Sequence, residues 1–247
     1  KRNHISKKNL SLIGAHCRKV GLKFGVSVFR QEDLYLLTDL LYLLDFFKVP
    51  SAECLNSPLI SELIGSDKLT FVSIGGTETR KAIQALTAFK DKVIPFHCIS
   101  NYPTILGQQD LRVIATLNEV GFTSVGYSSH DADWEVCLLA LANGATWIER
   151  HITFDKDANG LDHSSSSTGD EFKKLVNFCS NYLRIYGEQY HSPNQGELIN
   201  LQNLGTSIYA KRDLEVDEKT TLKDYDIQAP RVGISVGDFS TNFEGKP

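Results

Sequence analysis

Five groups of polar residues recur along the chain: Lys48 with Ser51 and Glu53, Ser73 before Gly75-Gly76, His97 with Ser100 and Tyr102, Ser128 with His130, and Glu149 with His151. Each closes a run rich in Val, Ile and Phe, so each falls at the carboxyl end of an expected strand. Residues i and i+2 of a strand share a face, which points Glu149 and His151 one way and Ile148, Arg150 and Ile152 the other. Ser128 and His130 obey the same parity on the preceding strand. Two imidazoles on adjacent strands can meet one divalent ion, with the carboxylate as further ligand, water-holder or general base. Equally, each histidine can cap its strand through ordinary hydrogen bonds. Lys48 with Ser51, Ser73 and Ser128 offers one point charge and several hydroxyl donors, a set that suits a phosphate. A solvated lysine among surface serines is the alternative. Gly75-Gly76 lets a backbone approach an anion, or simply makes a turn. Asp162-His163 lies in the polar loop Gly160–Ser167, which composition alone reads as flexible.

Such groups need a scaffold that brings strand ends together. Between the strands, apolar residues recur at i, i+3 and i+7, the pattern of repeated β-α units around a parallel sheet. Strands are expected at 22–29, 46–51, 70–74, 93–100, 123–128 and 146–154. Helices are expected over 31–44, 58–64, 78–91, 110–120 and 133–143, and from the capping-box spacing Thr168-Gly-Asp-Glu171 onward. Leu10, Ile13, Cys17 and Val20 form an earlier helical stripe closed by Gly21. The fold class is therefore α/β, a TIM (β/α)8 barrel of which six units are legible, and active sites of such barrels lie beyond the carboxyl ends of the strands. The barrel region is placed at 1–187 and a polar linker at 188–204. The remainder, 205–247, reads as a small, mostly β module, marginal as an independent fold.

Composition narrows the function classes. The 247 residues carry 26 Lys+Arg against 30 Asp+Glu, a net charge of −4, which gives no electrostatic footprint for nucleic acid or an anionic membrane. No apolar run reaches the roughly 18 residues of a membrane span, and Lys1–His4 lacks a signal-peptide core, so a cytoplasmic location is expected. Cys17, Cys54, Cys98, Cys137 and Cys179 are odd in number and form no C-x-x-C pair, which predicts reduced thiols. The absence of any Met, together with six strands where a barrel needs eight, is the expectation of a fragment.

The runs Gly126-Tyr-Ser-Ser-His-Asp131, Gly144-Ala-Thr-Trp-Ile-Glu-Arg-His-Ile-Thr-Phe-Asp-Lys156 and Asp162-His163 resemble the sialic acid (N-acetylneuraminate) synthase family. That family includes legionaminate, pseudaminate and spore-coat polysaccharide synthases. The likeness continues through Phe47–Glu53, Val72–Gly75 and His97–Pro103, and 207–235 resembles the start of the family's antifreeze-like SAF domain. The resemblance implies condensation of phosphoenolpyruvate with an N-acetylated hexosamine aldehyde such as N-acetylmannosamine, with release of phosphate. It assigns His130 and His151 to a divalent metal, Mn²⁺ favoured over Mg²⁺. Lys48, Ser51, Ser73, Ser100 and Ser128 would hold phosphoenolpyruvate, Tyr102 and Asp162 the sugar, and Glu53 and Glu149 would manage protons and water. A domain-swapped homodimer is implied as well, in which each small domain covers its partner's barrel mouth. The family's usual Arg-Pro-Gly-x-Gly-Ile turn, whose Arg contacts the sugar, reads Ala229-Pro-Arg-Val-Gly-Ile234 here, with Arg231 the nearest substitute. The competing reading is a catalytically altered sugar-binding or assembly paralogue. A synthase for phosphorylated sugars is the third, and would show extra Arg or Lys at the mouth.

Overall fold

The structure, a computed structural model, describes residues 5–242, so Lys1–His4 and the last five residues of the 205–247 region lie outside it. Two compact units divide the chain, Lys1–Leu183 and Arg184–Pro247.

The first unit opens with helix α1 (Lys7–Lys19) and strand β1 (Gly25–Ser27), followed by α2 (Gln31–Leu36), β2 (Phe46–Val49), α3 (Ser57–Ile64) and β3 (Leu69–Ser73). It continues through α4 (Thr79–Leu86), β4 (Val93–His97), α5 (Arg112–Val120), β5 (Gly126–Ser129), α6 (Val136–Ala142), β6 (Trp147–Arg150) and α7 (Gly169–Tyr186). The strands form one parallel sheet in the order β1-β2-β3-β4-β5-β6, a curled half-barrel consistent with a TIM-like α/β fold. The six expected strands are thus all present.

The sheet's two faces follow the period-2 alternation of its sequence. Phe47, Val49 and Val72 are fully buried on the helix side, where Leu59, Leu63, Leu86, Ile114 and Leu117 pack over them in one continuous core. The opposite, concave face carries Phe46, Phe71, Phe96 and Trp147. Their rings meet at 5.2 Å (Phe46–Phe71 and Phe71–Phe96) and 5.1 Å (Phe71–Trp147), within the range of favourable aromatic pairs. Gly126 makes room for this layer, because a Cβ there would stand 2.6 Å from the Phe96 ring.

Two expected helices are interrupted. The 31–44 stretch is α2 followed by a 3-10 turn at Thr38–Leu43, and 78–91 is α4 followed by one at Thr87–Phe89. In both, a threonine hydroxyl donates back to the preceding turn (Thr38 to Tyr35 O, Thr87 to Ile83 O), a bond that competes with the helical ladder. The Thr168/Glu171 capping box forms as expected, with Thr168 N donating to Glu171 Oε2 at 2.8 Å.

The second unit corrects the expected layout. It begins at Arg184 rather than 188, and the 188–204 stretch is not a bare linker: it contains helix α8 (Gln195–Leu204), started by an Asn194/Glu197 capping box. An antiparallel pair, β7 (Ser207–Ala210) and β8 (Tyr225–Gln228), is followed by helix α9 (Val236–Asn242). With only these two four-residue strands, the described part of 205–247 is not mostly β. Among the described residues, no helix is long and apolar enough to cross a membrane.

Candidate active site

From the amino to the carboxyl ends of the strands, the concave face is layered. Its floor is the aromatic cluster, bordering a cavity of about 560 Å³ that reaches up to Lys48 and Glu149. Above the floor, the Lys48 ammonium is ion-paired with the Glu149 carboxylate. Their strands, β2 and β6, lie four places apart in the sheet. In a flat sheet that would be about 19 Å at the usual strand spacing, more than a lysine and a glutamate span together, so the pair exists because the sheet curls.

The rim is built on residues just past the carboxyl ends of β4, β5 and β6. His130 lies 5% exposed with its Nδ1 2.7 Å from Ile99 O. Bonding to a carbonyl makes Nδ1 the protonated nitrogen and leaves a lone pair on Nε2, which lies 3.4 Å from Ser128 Oγ. Burial pushes the imidazole's pKa down and keeps it neutral. The His151 ring stands edge-on to it, centroids 5.4 Å apart, and Tyr102 covers His130 at 4.1 Å. Asp162 Oδ2 is 3.9 Å from His151 Nδ1. The loop carrying Asp162 is pinned rather than loose: Ser165 and Ser166 hydroxyls donate to Asp162 O, Thr153 Oγ1 and His163 Nδ1 share a hydrogen bond at 2.8 Å, and Ser167 N donates to His151 O at 2.8 Å.

The candidate anion-binding residues converge less tightly. Ser51 Oγ lies 3.3 Å from Cys98 Sγ. Ser73 Oγ is buried at the end of β3 with no hydrogen-bond partner among the described residues, so a donor is held in readiness there. Ser100 is exposed and its hydroxyl sits against Gly75: a Cβ on Gly75 would come within 2.5 Å of Ser100 Oγ, 2.7 Å of Cys98 Sγ and 3.0 Å of Cys98 O. Gly75→Ala must therefore displace the end of β4. We expect it to destabilise the protein by about 1–3 kcal/mol, measured as a shift of the denaturant midpoint. Glu53 stands apart in its bonding, since its carboxylate accepts from Asn56 Nδ2 at 2.9 Å in the turn that caps α3. His97 faces the helix side, with Nε2 2.7 Å from Gln109 O, and takes no part in the rim. In the second unit, Arg231 donates to Asp238 Oδ2 at 3.0 Å.

Among the described residues, no three His, Cys, Asp or Glu side chains form a ready cage, so a third protein ligand beside the histidines is not preassembled. The two facing imidazoles, one locked in the tautomer that frees a lone pair, fit a divalent ion that takes its other ligands from water and substrate oxygens.

Sequence reasoning missed the other side of the rim. Arg150, 8% exposed, donates to Ser129 Oγ (2.7 Å), Ser167 Oγ, Asp131 O (2.9 Å) and Ala132 O (3.2 Å). The Asp131 carboxylate accepts from Tyr127, Ser129 and Gln109. An arginine at a helix-facing strand position was itself the signal, since arginine is almost never fully buried unless paired.

Comparison with known proteins finds both curated relatives and solved structures similar to this chain. N,N'-diacetyllegionaminic acid synthase of Campylobacter jejuni is 28% identical over 226 residues, covering 89% of this chain and 67% of the relative. The crystal structure of the N-acetylneuraminic acid synthetase of Leptospira borgpetersenii superposes with a TM-score of 0.70 at 27% identity, covering 80% of this chain and 70% of that one. A putative spore coat polysaccharide biosynthesis protein E of Chromobacterium violaceum shares the fold, with a TM-score of 0.78 at 22% identity over 96% of this chain and 72% of its own. The chain thus spans about two thirds of the length of the first of these relatives. The family model described as NeuB matches residues 1–191, and the chain belongs to the NeuB family.

Proposed function

We propose that the protein is a nonulosonic acid synthase that condenses phosphoenolpyruvate with an open-chain N-acetylated hexosamine, such as N-acetylmannosamine, and releases phosphate. The observation that carries this reading is the stacking of two chemistries on one face: the Lys48–Glu149 pair lies one layer below the His130–His151–Tyr102 rim. An acid sugar precursor and an aldehyde need just such neighbouring anion-binding and carbonyl-activating sites.

Lys48 supplies the point charge for the enol phosphate, and Ser51, Ser73, Ser100 and Ser128 supply hydroxyls around it. The unpartnered Ser73 hydroxyl gains a partner when an anion arrives, so its donor costs nothing to free. Tyr102 and Asp162, both beside His151, would face the sugar. His130 and His151 would hold a divalent ion, Mn²⁺ by imidazole preference, whose contribution when bound is to polarise the sugar aldehyde. As C3 of the enol phosphate bonds to the aldehyde carbon, the aldehyde oxygen takes up a proton and becomes a hydroxyl, C2 becomes electron-poor and adds water, and the C2–O bond to phosphate then breaks to leave the 2-keto acid. Glu149 is placed to accept that water's proton, and Lys48 to balance the departing phosphate's charge. Glu53 keeps a supporting role through Asn56.

The test is phosphate release from phosphoenolpyruvate with Mn²⁺ and a panel of N-acetylated and N,N'-diacetylated hexoses, each also offered as its terminal phosphate ester. Sugar-dependent release supports the synthase and identifies the sugar class. Binding of a sugar with no release from any mixture would instead establish a binding paralogue.

A further inference from the structure

Both imidazoles of the rim hang from chain segments that one buried guanidinium ties together. Arg150 lies on β6 between Glu149 and His151 and projects to the helix side, away from the mouth. Its Nη2 donates to the carbonyls of Asp131 and Ala132, the two residues that follow His130. Its Nε donates to Ser167 Oγ, and Ser167 N in turn donates to His151 O. Its Nη1 donates to Ser129 Oγ, which immediately precedes His130 and passes its own proton on to Asp131 Oδ2 at 2.8 Å. A single side chain thus holds the backbone on both flanks of His130 and, through Ser167, the residue bearing the second imidazole. The planar fork of arginine spans these four acceptors; a lysine's single ammonium has three donors and no such geometry.

The surroundings show that the arrangement is built and not incidental. Ser129, Asp131 and Ser167 are each at most 2% exposed. The Asp131 carboxylate is further held by Tyr127 Oη at 2.7 Å and Gln109 Nε2 at 3.0 Å. Burial beside that carboxylate raises the Tyr127 pKa, which keeps the phenol a hydrogen-bond donor. Lys156 Nζ adds a second donor to Ala132 O at 2.9 Å.

We propose that Arg150 is the positioning residue of the rim: from outside the mouth it sets the separation and orientation of the His130 and His151 imidazoles. The inference deepens the synthase reading and rests on it for the use made of the imidazoles, but the placement itself can be read without metal or substrate. The experiment compares wild type, Arg150→Lys and Ser167→Ala. Arg150→Lys retains a buried positive charge, and Ser167→Ala retains the arginine and removes one arm of the clamp. Two quantities are measured on protein shown to be folded by circular dichroism: the ¹⁵N resonances of the two imidazoles without metal, and the Kd for Mn²⁺.

Both variants are expected to move or broaden the imidazole resonances, Arg150→Lys more than Ser167→Ala. Each should weaken Mn²⁺ by about 10–100-fold, the usual effect of losing a partner that orients a ligand. Imidazole resonances unchanged in both folded variants would overturn the inference, whatever the metal does. If Mn²⁺ binding to wild type proves independent of His130 and His151, the metal reading fails while the resonances still decide the positioning role. Should Arg150→Lys not fold, Ser167→Ala alone gives the same two outcomes.

Discussion

Glu149→Gln binds phosphoenolpyruvate as tightly as wild type or more tightly, while kcat falls by about 10²–10⁴-fold, the usual contribution of a positioned general base. The split follows from the geometry. Glu149 contacts Lys48 directly, so before an anion arrives the carboxylate is the ammonium's counter-charge. An amide of the same shape leaves that cation free for the incoming phosphate and takes away only the proton acceptor. Lys48→Met gives the opposite pattern. It deletes a charge-assisted bond of about 1.5–3 kcal/mol, so Kd for phosphoenolpyruvate rises about 10–100-fold, with a smaller effect on the step after binding. Calorimetric binding of phosphoenolpyruvate and steady-state kinetics separate the two. Glu149 is 39% exposed at its side chain, so thermal stability should change little in Glu149→Gln. Were Glu149→Gln to weaken phosphoenolpyruvate and spare kcat, the carboxylate would be a mere companion of Lys48 and the base would have to be sought elsewhere.

The parts of this site that were legible in the sequence are those governed by strand parity. Parity alone put Glu149 with His151, and Ser128 with His130, on a shared face and Arg150 on the opposite one; the folded sheet makes the first the concave face. What parity cannot supply is curvature. The Lys48–Glu149 pair joins residues 101 apart in sequence, on strands whose side chains meet only because the sheet rolls up. Strand ends were also read too long. The sheet strands within 46–51, 93–100 and 146–154 end at Val49, His97 and Arg150. Pro50 has no N–H to offer a ladder, and the residues beyond His97 and Arg150 leave the sheet to present Ser100, Tyr102 and His151 at the mouth. Helix α8 escaped for a different reason: its apolar residues Leu198, Ile199, Leu201 and Leu204 are spread around the helix instead of forming one stripe, and none of them is buried. Its one readable sign was the Asn194-x-x-Glu197 capping box. Arg150 was visible as an anomaly, but its partners Ser129, Ser167 and the 131–132 backbone are brought to it only by the completed fold.

His151→Ala abolishes turnover and weakens Mn²⁺ by more than the roughly 10–100-fold expected from loss of an orienting partner alone. Of the two histidines it gives the cleaner test. His130 is buried and bonded to Ile99 O, so its removal leaves a carbonyl unpartnered and a gap beneath Tyr102, and lost activity would be confounded with lost structure. The His151 side chain is 37% exposed, and its closest charged neighbour, Asp162, stands 3.9 Å away, so the alanine variant should keep its fold. It should also keep its affinity for phosphoenolpyruvate, because Lys48 and Glu149 lie one layer lower and pair with each other independently of the rim. Asp162→Ala supplies the graded comparison: its carboxylate stands 3.9 Å from the imidazole, beyond hydrogen-bond reach, and its loss should weaken Mn²⁺ less than loss of the ring itself. Retained metal affinity and turnover in His151→Ala would remove it from the metal site. Retained metal affinity with lost turnover would instead make it a substrate contact beside Tyr102, whose ring it meets at 5.6 Å. The metal titration therefore comes first, since it alone tells a ligand from a sugar contact at a residue where both roles predict a dead enzyme.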